Sequence, residues 1–196
     1  MQKNIIIGIL GLVLAGSAVL NVVLVAKVAQ QEKQLKPVKA QQAAENRQKA
    51  LHEKFAQRYA QDQQKYTKEQ LGDAEQLYQV ANQKWGTPEA VESLQAMIKK
   101  YPDLDRTGCA VLYLADMSKG DERAQYLQDC IDDYNDCFYG DGVQVGVYAR
   151  FLLAGDCQSN GETEKAKALF NEIKAKYPDA IDHSGKLLVD GIKGNL

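Results

Sequence analysis

Histidine is almost missing from this chain: His52 and His183 are the only two in 196 residues. They lie in different segments with no obvious nucleophile beside them, and no Ser/His/Asp order with the local context of a catalytic site appears. The four cysteines, Cys109, Cys130, Cys137 and Cys157, show no Cys-x-x-Cys spacing and have no histidine at ligand distance. That pattern argues against zinc and haem. No Gly-rich phosphate loop occurs, and the acidic stretch 135–142 lacks the twelve-residue spacing of a calcium loop. We therefore expect no catalytic residue, no cofactor and no metal.

What is present is unevenly placed. Residues 28–70 carry nine Lys/Arg and five Asp/Glu, whereas 71–196 carry thirteen and twenty-one. An acidic domain behind a basic stretch argues against nucleic acid, which needs a positive field. The expected partners are proteins.

From Asn4 to Ala26 no residue is charged, and Ile, Leu, Val, Ala and Gly dominate. A helix of that length rises about 35 Å, enough to cross a hydrocarbon core of roughly 30 Å. The expectation is an uncleaved membrane anchor over 1–27, through which the chain is a single-pass membrane protein. The other reading is a secretory signal cleaved near Gly16-Ser17-Ala18. Ser17 stands where a lipidated cysteine would be needed, which excludes a lipoprotein. Lysine placement favours a cytoplasmic domain, while the signal-like N-terminus favours an extracytoplasmic, periplasmic one; the second is the expectation adopted.

Residues 28–69, rich in Gln, Lys, Ala and Glu, read as a basic helical stalk in which Pro37 is the single breaker. Pro37 is expected to separate a juxtamembrane stretch from a later helix. Leu51, Phe55 and Tyr59 recur at i, i+4 and i+8, a stripe on an otherwise solvated spacer that can dock on the domain or on a second copy.

Beyond residue 70, three segments align without gaps: Ala90–Asp103, Arg123–Asp136 and Ala166–Asp179. Their matching positions run Ala90, Arg123, Ala166; Leu94, Leu127, Phe170; Met97, Cys130, Ile173; and Tyr101, Tyr134, Tyr177. Offsets of 0, 4, 7 and 11 share one helix face, so these residues, with Ala90, Leu94, Tyr101, Leu127, Tyr134, Ala166, Phe170 and Tyr177 foremost, form the expected repeat core. An apolar, helix-compatible stretch precedes each segment, at 70–83, 105–117 and 143–157. Thr87 suits an N-cap, Pro88 a first helical turn, and Gly120 and Gly161 the left-handed position that closes a preceding helix. The fold class is all-α: anchor, helical stalk, then three antiparallel hairpins.

These residues resemble the tetratricopeptide repeat family. The third repeat matches best, through Leu153-Ala154, Gly161, Ala166, Phe170 and Pro178; the first keeps Ala90, Leu94 and Pro102; the second departs at Arg123 and Asn135. Spacing is 33 residues from Tyr101 to Tyr134 but 43 from Tyr134 to Tyr177, which places an insertion of about nine residues around 136–146. Residues 180–192 are then expected to form a capping helix. The resemblance implies a non-catalytic scaffold for protein–protein interaction, and with anchor and stalk the chain resembles membrane-anchored bacterial envelope proteins of this class. A second reading is a structural accessory subunit packed permanently into a larger membrane complex.

Three smaller features complete the sequence reading. Cys130 and Cys157 fit as buried small hydrophobes, yet Cys109 falls opposite Cys130 across the second predicted hairpin, so a Cys109–Cys130 disulfide is a candidate, with Cys137 as the competing partner of Cys109. Phe138 and Tyr139 are large apolar groups in a polar loop and are the predicted partner contact. The acidic residues Asp129, Asp132, Asp133 and Asp136 read as a solvated face.

Overall fold

The computed structural model describes side chains at residues 27, 30, 31 and 33–192, and the helical backbone from residue 2. Eight helices are described: α1 (Gln2–Lys65), α2 (Lys68–Gln83), α3 (Pro88–Lys100), α4 (Asp105–Met117), α5 (Gly120–Asp132), α6 (Val145–Ser159), α7 (Thr163–Lys176) and α8 (Leu188–Ile192). Among the described residues there is no strand, only two isolated bridges. The chain divides into two compact units, Met1–Asn46 and Arg47–Leu196.

In the first unit the described side chains are exposed, and Gln41 and Gln42 donate to Glu45 and Asn46 one turn on. Pro37 lies inside α1 and does not end it. The expected break gives way to the run of strong helix formers on both sides, whose propagation offsets one missing N–H. The apolar run of the expected anchor, 4–26 within 1–27, lies outside the residues whose side chains are described; of 1–27 only Lys27 is among them. The expectation of a single-pass membrane protein with a periplasmic domain is corrected: no helix among the described residues is long and apolar enough to cross a membrane. A span needs about 20 apolar residues in succession, and from Lys27 on α1 is interrupted by Lys, Glu and Gln.

The second unit holds three hairpins, α2/α3, α4/α5 and α6/α7, joined by the packing of α3 on α4 and α5 on α6. Local chemistry sets their ends. Thr67 caps α2 in a reciprocal box with Gln70, and the Thr87 hydroxyl accepts from the Ala90 N–H with Pro88 in the first turn of α3. Gly161, at φ +81°, closes α6 as expected of a left-handed glycine. Gly120 is also left-handed, but it opens α5; α4 ends on Ser118 in extended backbone. Ala90, Leu94, Tyr101, Leu127, Ala166 and Phe170 are buried in one continuous core, while Tyr134 and Tyr177 are half-buried at its edge.

The segments on either side of α6/α7 fold alike. Phe138 bridges Gln144 and Ile181 bridges Leu187, 43 residues further on. Tyr139 N–H donates to Val143 O at 2.9 Å and Asp182 N–H to Lys186 O at 2.9 Å; Val145 N–H donates to Cys137 O at 2.8 Å and Leu188 N–H to Ala180 O at 2.9 Å. Gly142 and Gly185 occupy equivalent left-handed positions, φ +92° and +78°. The insertion is thus a recurring tight hairpin, and the capping helix shrinks to five residues because 180–187 are this hairpin's second copy.

The last part of α1 straps the array. Lys65 pairs with Asp103, Arg58 donates to the Asp103 carbonyl at 2.5 Å, and Arg47 reaches Asp179 at 3.5 Å. Asp103 and Asp179 follow Tyr101 and Tyr177 at the same place in their repeats, so α1 runs across successive inter-hairpin turns. Leu51 is buried and Phe55 packs on the core. Tyr59, third in the predicted stripe, stays 45% exposed.

Candidate functional site

Three tyrosines recur at intervals of 35 residues, Tyr78 in α2, Tyr113 in α4 and Tyr148 in α6. Because α2 packs on α4 and α4 on α6, that spacing sets one ring per hairpin on neighbouring first helices. Their ring centres make a chain of contacts. Tyr78 lies 4.9 Å from Tyr113, and Tyr113 lies 5.0 Å edge-on to Trp85 and 6.3 Å from Tyr139. Tyr139 meets His183 at 4.7 Å and His183 meets Tyr148 at 5.2 Å, both edge-to-face, separations at which aromatic pairs attract beyond area burial. Trp85 is 50% exposed, His183 is exposed, and Tyr113 and Tyr148 are half-buried.

Carboxylates border this row. His183 Nδ1 lies 2.8 Å from Asp141 Oδ2, which ties the two equivalent hairpins together. Burial, aided by the charges of Asp116 and Asp182, raises the Tyr148 hydroxyl above its ordinary value. Arg123, at the position where the other repeats carry alanine, donates to Asp156 at 2.7 Å, to Asp116 at 3.1 Å and to the Ala115 carbonyl at 2.9 Å. Its long side chain clamps α4, α5 and α6 together where a small residue would have allowed only close approach.

A groove opens at the other end of the row. About 990 Å³ in volume, it is walled by Phe55, Tyr59 and Tyr66 of the strap and its turn, by Leu71 of α2, and by Leu104 with Asp105 and Arg106 at the start of α4. The Arg106 guanidinium sits 4.6 Å from the centre of the Tyr78 ring, which links groove to row. Three carboxylates line the groove, Asp62, Glu75 and Asp105. Asp62 is buried; one of its oxygens accepts from Arg58 at 2.6 Å and the other from the Asp105 N–H at 2.9 Å. Asp105 is buried too and accepts from the Phe138 N–H at 2.7 Å. Burial pushes its carboxyl up to about 7, against the pull of that N–H and of Arg58.

Two predicted site features are corrected here. Phe138 and Tyr139 are buried, not a partner contact on an open loop. The tight hairpin turns both inward: Phe138 joins the core, and the Tyr139 hydroxyl donates to the Cys109 carbonyl at 3.4 Å. Tyr139 contributes to the row from within, between Tyr113 and His183. All four cysteines are free thiols, so neither Cys109–Cys130 nor Cys109–Cys137 is bonded. The Cys109 thiol instead donates weakly to Phe138 O at 3.7 Å and that of Cys137 to Leu104 O at 3.9 Å. Among the described residues no cluster of His, Cys, Asp and Glu has the makings of a metal site.

Residues 148–180, from Tyr148 in α6 to Ala180 beyond α7, match a family model described as tetratricopeptide repeat. Searches of curated proteins and of solved structures each found no significant match.

Proposed function

From the premise that this is a tetratricopeptide repeat protein, we propose that it is a non-catalytic scaffold that holds a protein segment against the ring-lined face of α2, α4 and α6. The observation that carries this reading is the contact chain of Tyr78, Tyr113, Trp85, Tyr139, His183 and Tyr148, to which each first helix contributes one ring and which is partly open to solvent. Exposed and half-buried aromatic rings offer large contact area at low entropic cost, which is why tyrosine and tryptophan dominate interaction hot spots. Asp116, Asp141 and Asp182 around the row favour a partner segment of net positive charge.

The test is quantitative capture after crosslinking, comparing the wild-type chain with Trp85→Ala and Tyr148→Ala. A reproducible partner set lost by both variants, yet kept by Lys99→Ala on α3, supports the reading. Retention of the whole set by variants that fold normally by circular dichroism removes it.

A further inference from the structure

The groove under the strap lies beside a residue pair spaced like those of the hairpins but left uncovered. Tyr59 stands seven residues before Tyr66, as Leu94, Leu127 and Phe170 stand seven before Tyr101, Tyr134 and Tyr177. In the hairpins those three side chains are buried within the array. Tyr59 is 45% exposed, so a seam of the kind that receives a neighbouring helix is left open beside it. At about 990 Å³ the space is at the upper end for a small-molecule pocket, and its walls are Phe55, Tyr66 and Leu71 more than any polar cradle.

Its charges are unequally matched. Arg58 is paired with Asp62, and Arg106 donates to Glu75 at 3.0 Å while stacking on Tyr78. Asp105 is in no ion pair among the described residues: the Arg58 and Arg106 charges act on it while each pairs with another carboxylate, and one of its oxygens is on the Phe138 N–H. Lys68 on α2 is the other lining cation, against the three carboxylates. An aromatic wall beside a buried carboxylate that lacks a cation of its own is complementary to an apolar side chain next to a basic one.

We propose that this groove is a second docking site, for a partner segment that presents an aromatic or aliphatic side chain adjacent to one arginine or lysine. It rests on the reading of the chain as a protein-binding scaffold but not on the ring-lined face being the place of binding. The apolar side chain lies against Tyr59 and Leu71, and the cation reaches toward Asp105 and Glu75. Filling the seam also covers Tyr59, as the array covers Leu94 in the first hairpin.

The test is selection of a random dodecapeptide display library on the full chain, followed by affinity measurement with the synthetic peptides recovered. Expected are sequences in which Arg or Lys neighbours Leu, Phe or Trp, with affinity falling by about tenfold or more in Tyr59→Ala and in Asp105→Asn, and unchanged in Trp85→Ala. Should Asp105→Asn fail to fold, Glu75→Gln on the half-buried wall carries the charge arm. Acidic or uncharged consensus sequences, no enrichment, or affinity indifferent to Tyr59→Ala overturns the proposal. Peptides lost only in Trp85→Ala overturn it as well, while leaving the face reading intact.

Discussion

Leu51 of the strap sits so close over Gly142 that a Cβ on that glycine would lie 2.9 Å from the Leu51 Cβ. The contact joins α1 to the hairpin between α5 and α6, at a glycine already held at φ +92°. Gly185 occupies the equivalent position at φ +78°, with nothing within 4 Å of where its Cβ would be. The pair separates backbone strain from strap packing.

Gly185→Ala is expected to cost about 1–2 kcal/mol, the price of a left-handed L-residue. Gly142→Ala adds overpacking against Leu51, for a total of roughly 2–5 kcal/mol. Urea denaturation of the two variants checks the difference; equal losses would mean that Leu51 yields freely and that the strap is loosely held.

Asn135 replaces the proline found at Pro102 and Pro178, and the structure explains the exchange. Arg150, nearly buried, donates through Nη1 to Asn135 Oδ1 at 2.6 Å and to Gly146 O at 2.9 Å, while Gln144 donates to the Asn135 carbonyl at 2.8 Å. Restoring the repeat pattern by Asn135→Pro removes an acceptor from a buried guanidinium and is expected to destabilise by about 1–3 kcal/mol. Asn135→Asp keeps the acceptor and should remain near wild type. A proline variant as stable as wild type in thermal melts would contradict this account.

Asp105 makes stability depend on pH in an unusual sense for a carboxylate. Its folded value, about 7, lies above the ordinary 3.8, so the folded state holds the proton more tightly than the unfolded chain. The stabilisation is complete below about pH 4 and is lost as pH rises through 7, a change of roughly 4 kcal/mol at most. The charged groups acting on it are Arg58 and Asp62 from α1 and Arg106 from α4, while the neutral thiols of Cys109 in α4 and Cys137 in the hairpin lie within reach of its own charge. Asp105→Asn can still accept from Phe138 N–H, so between pH 4 and 7 it should lose less stability than wild type. Parallel pH-stability curves for the two proteins would sink the assignment.

The four buried thiols should react slowly with an aromatic disulfide reagent at pH 8 in the native protein. Burial pushes Cys137 up to about 12, and Cys109 and Cys130 are also raised by burial. Denaturation without reductant is expected to release four equivalents per chain. Two equivalents would restore a disulfide.

The hairpins were legible because each rests on nearest-neighbour chemistry: the 0, 4, 7, 11 pattern, Thr87 before Pro88, and Gly161 after α6. The recurring 136–146 hairpin was half legible. Its length appeared as a 43-residue spacing, but its second copy at 180–187 shares few residue types with the first and reads locally as a helix. Tyr78, Tyr113 and Tyr148 carried a visible signal in their 35-residue interval, which alignment on the second helix of each repeat obscures. Asp62 and Asp105 carried none, since their burial comes from segments 43 residues apart in sequence meeting at the groove.

The amino-acid sequence alone determined the helical hairpins, the Thr87 and Gly161 caps and the apolar seam, because these depend on side-chain periodicity and residue type within a turn or two. Only the tertiary structure decided which way Phe138 and Tyr139 face, that the second half of α1 straps the array from Asp103 to Asp179, and that Tyr59 is left uncovered beside Asp105. Those outcomes follow from contacts between residues far apart in the chain, and no local pattern specifies which distant backbone will approach.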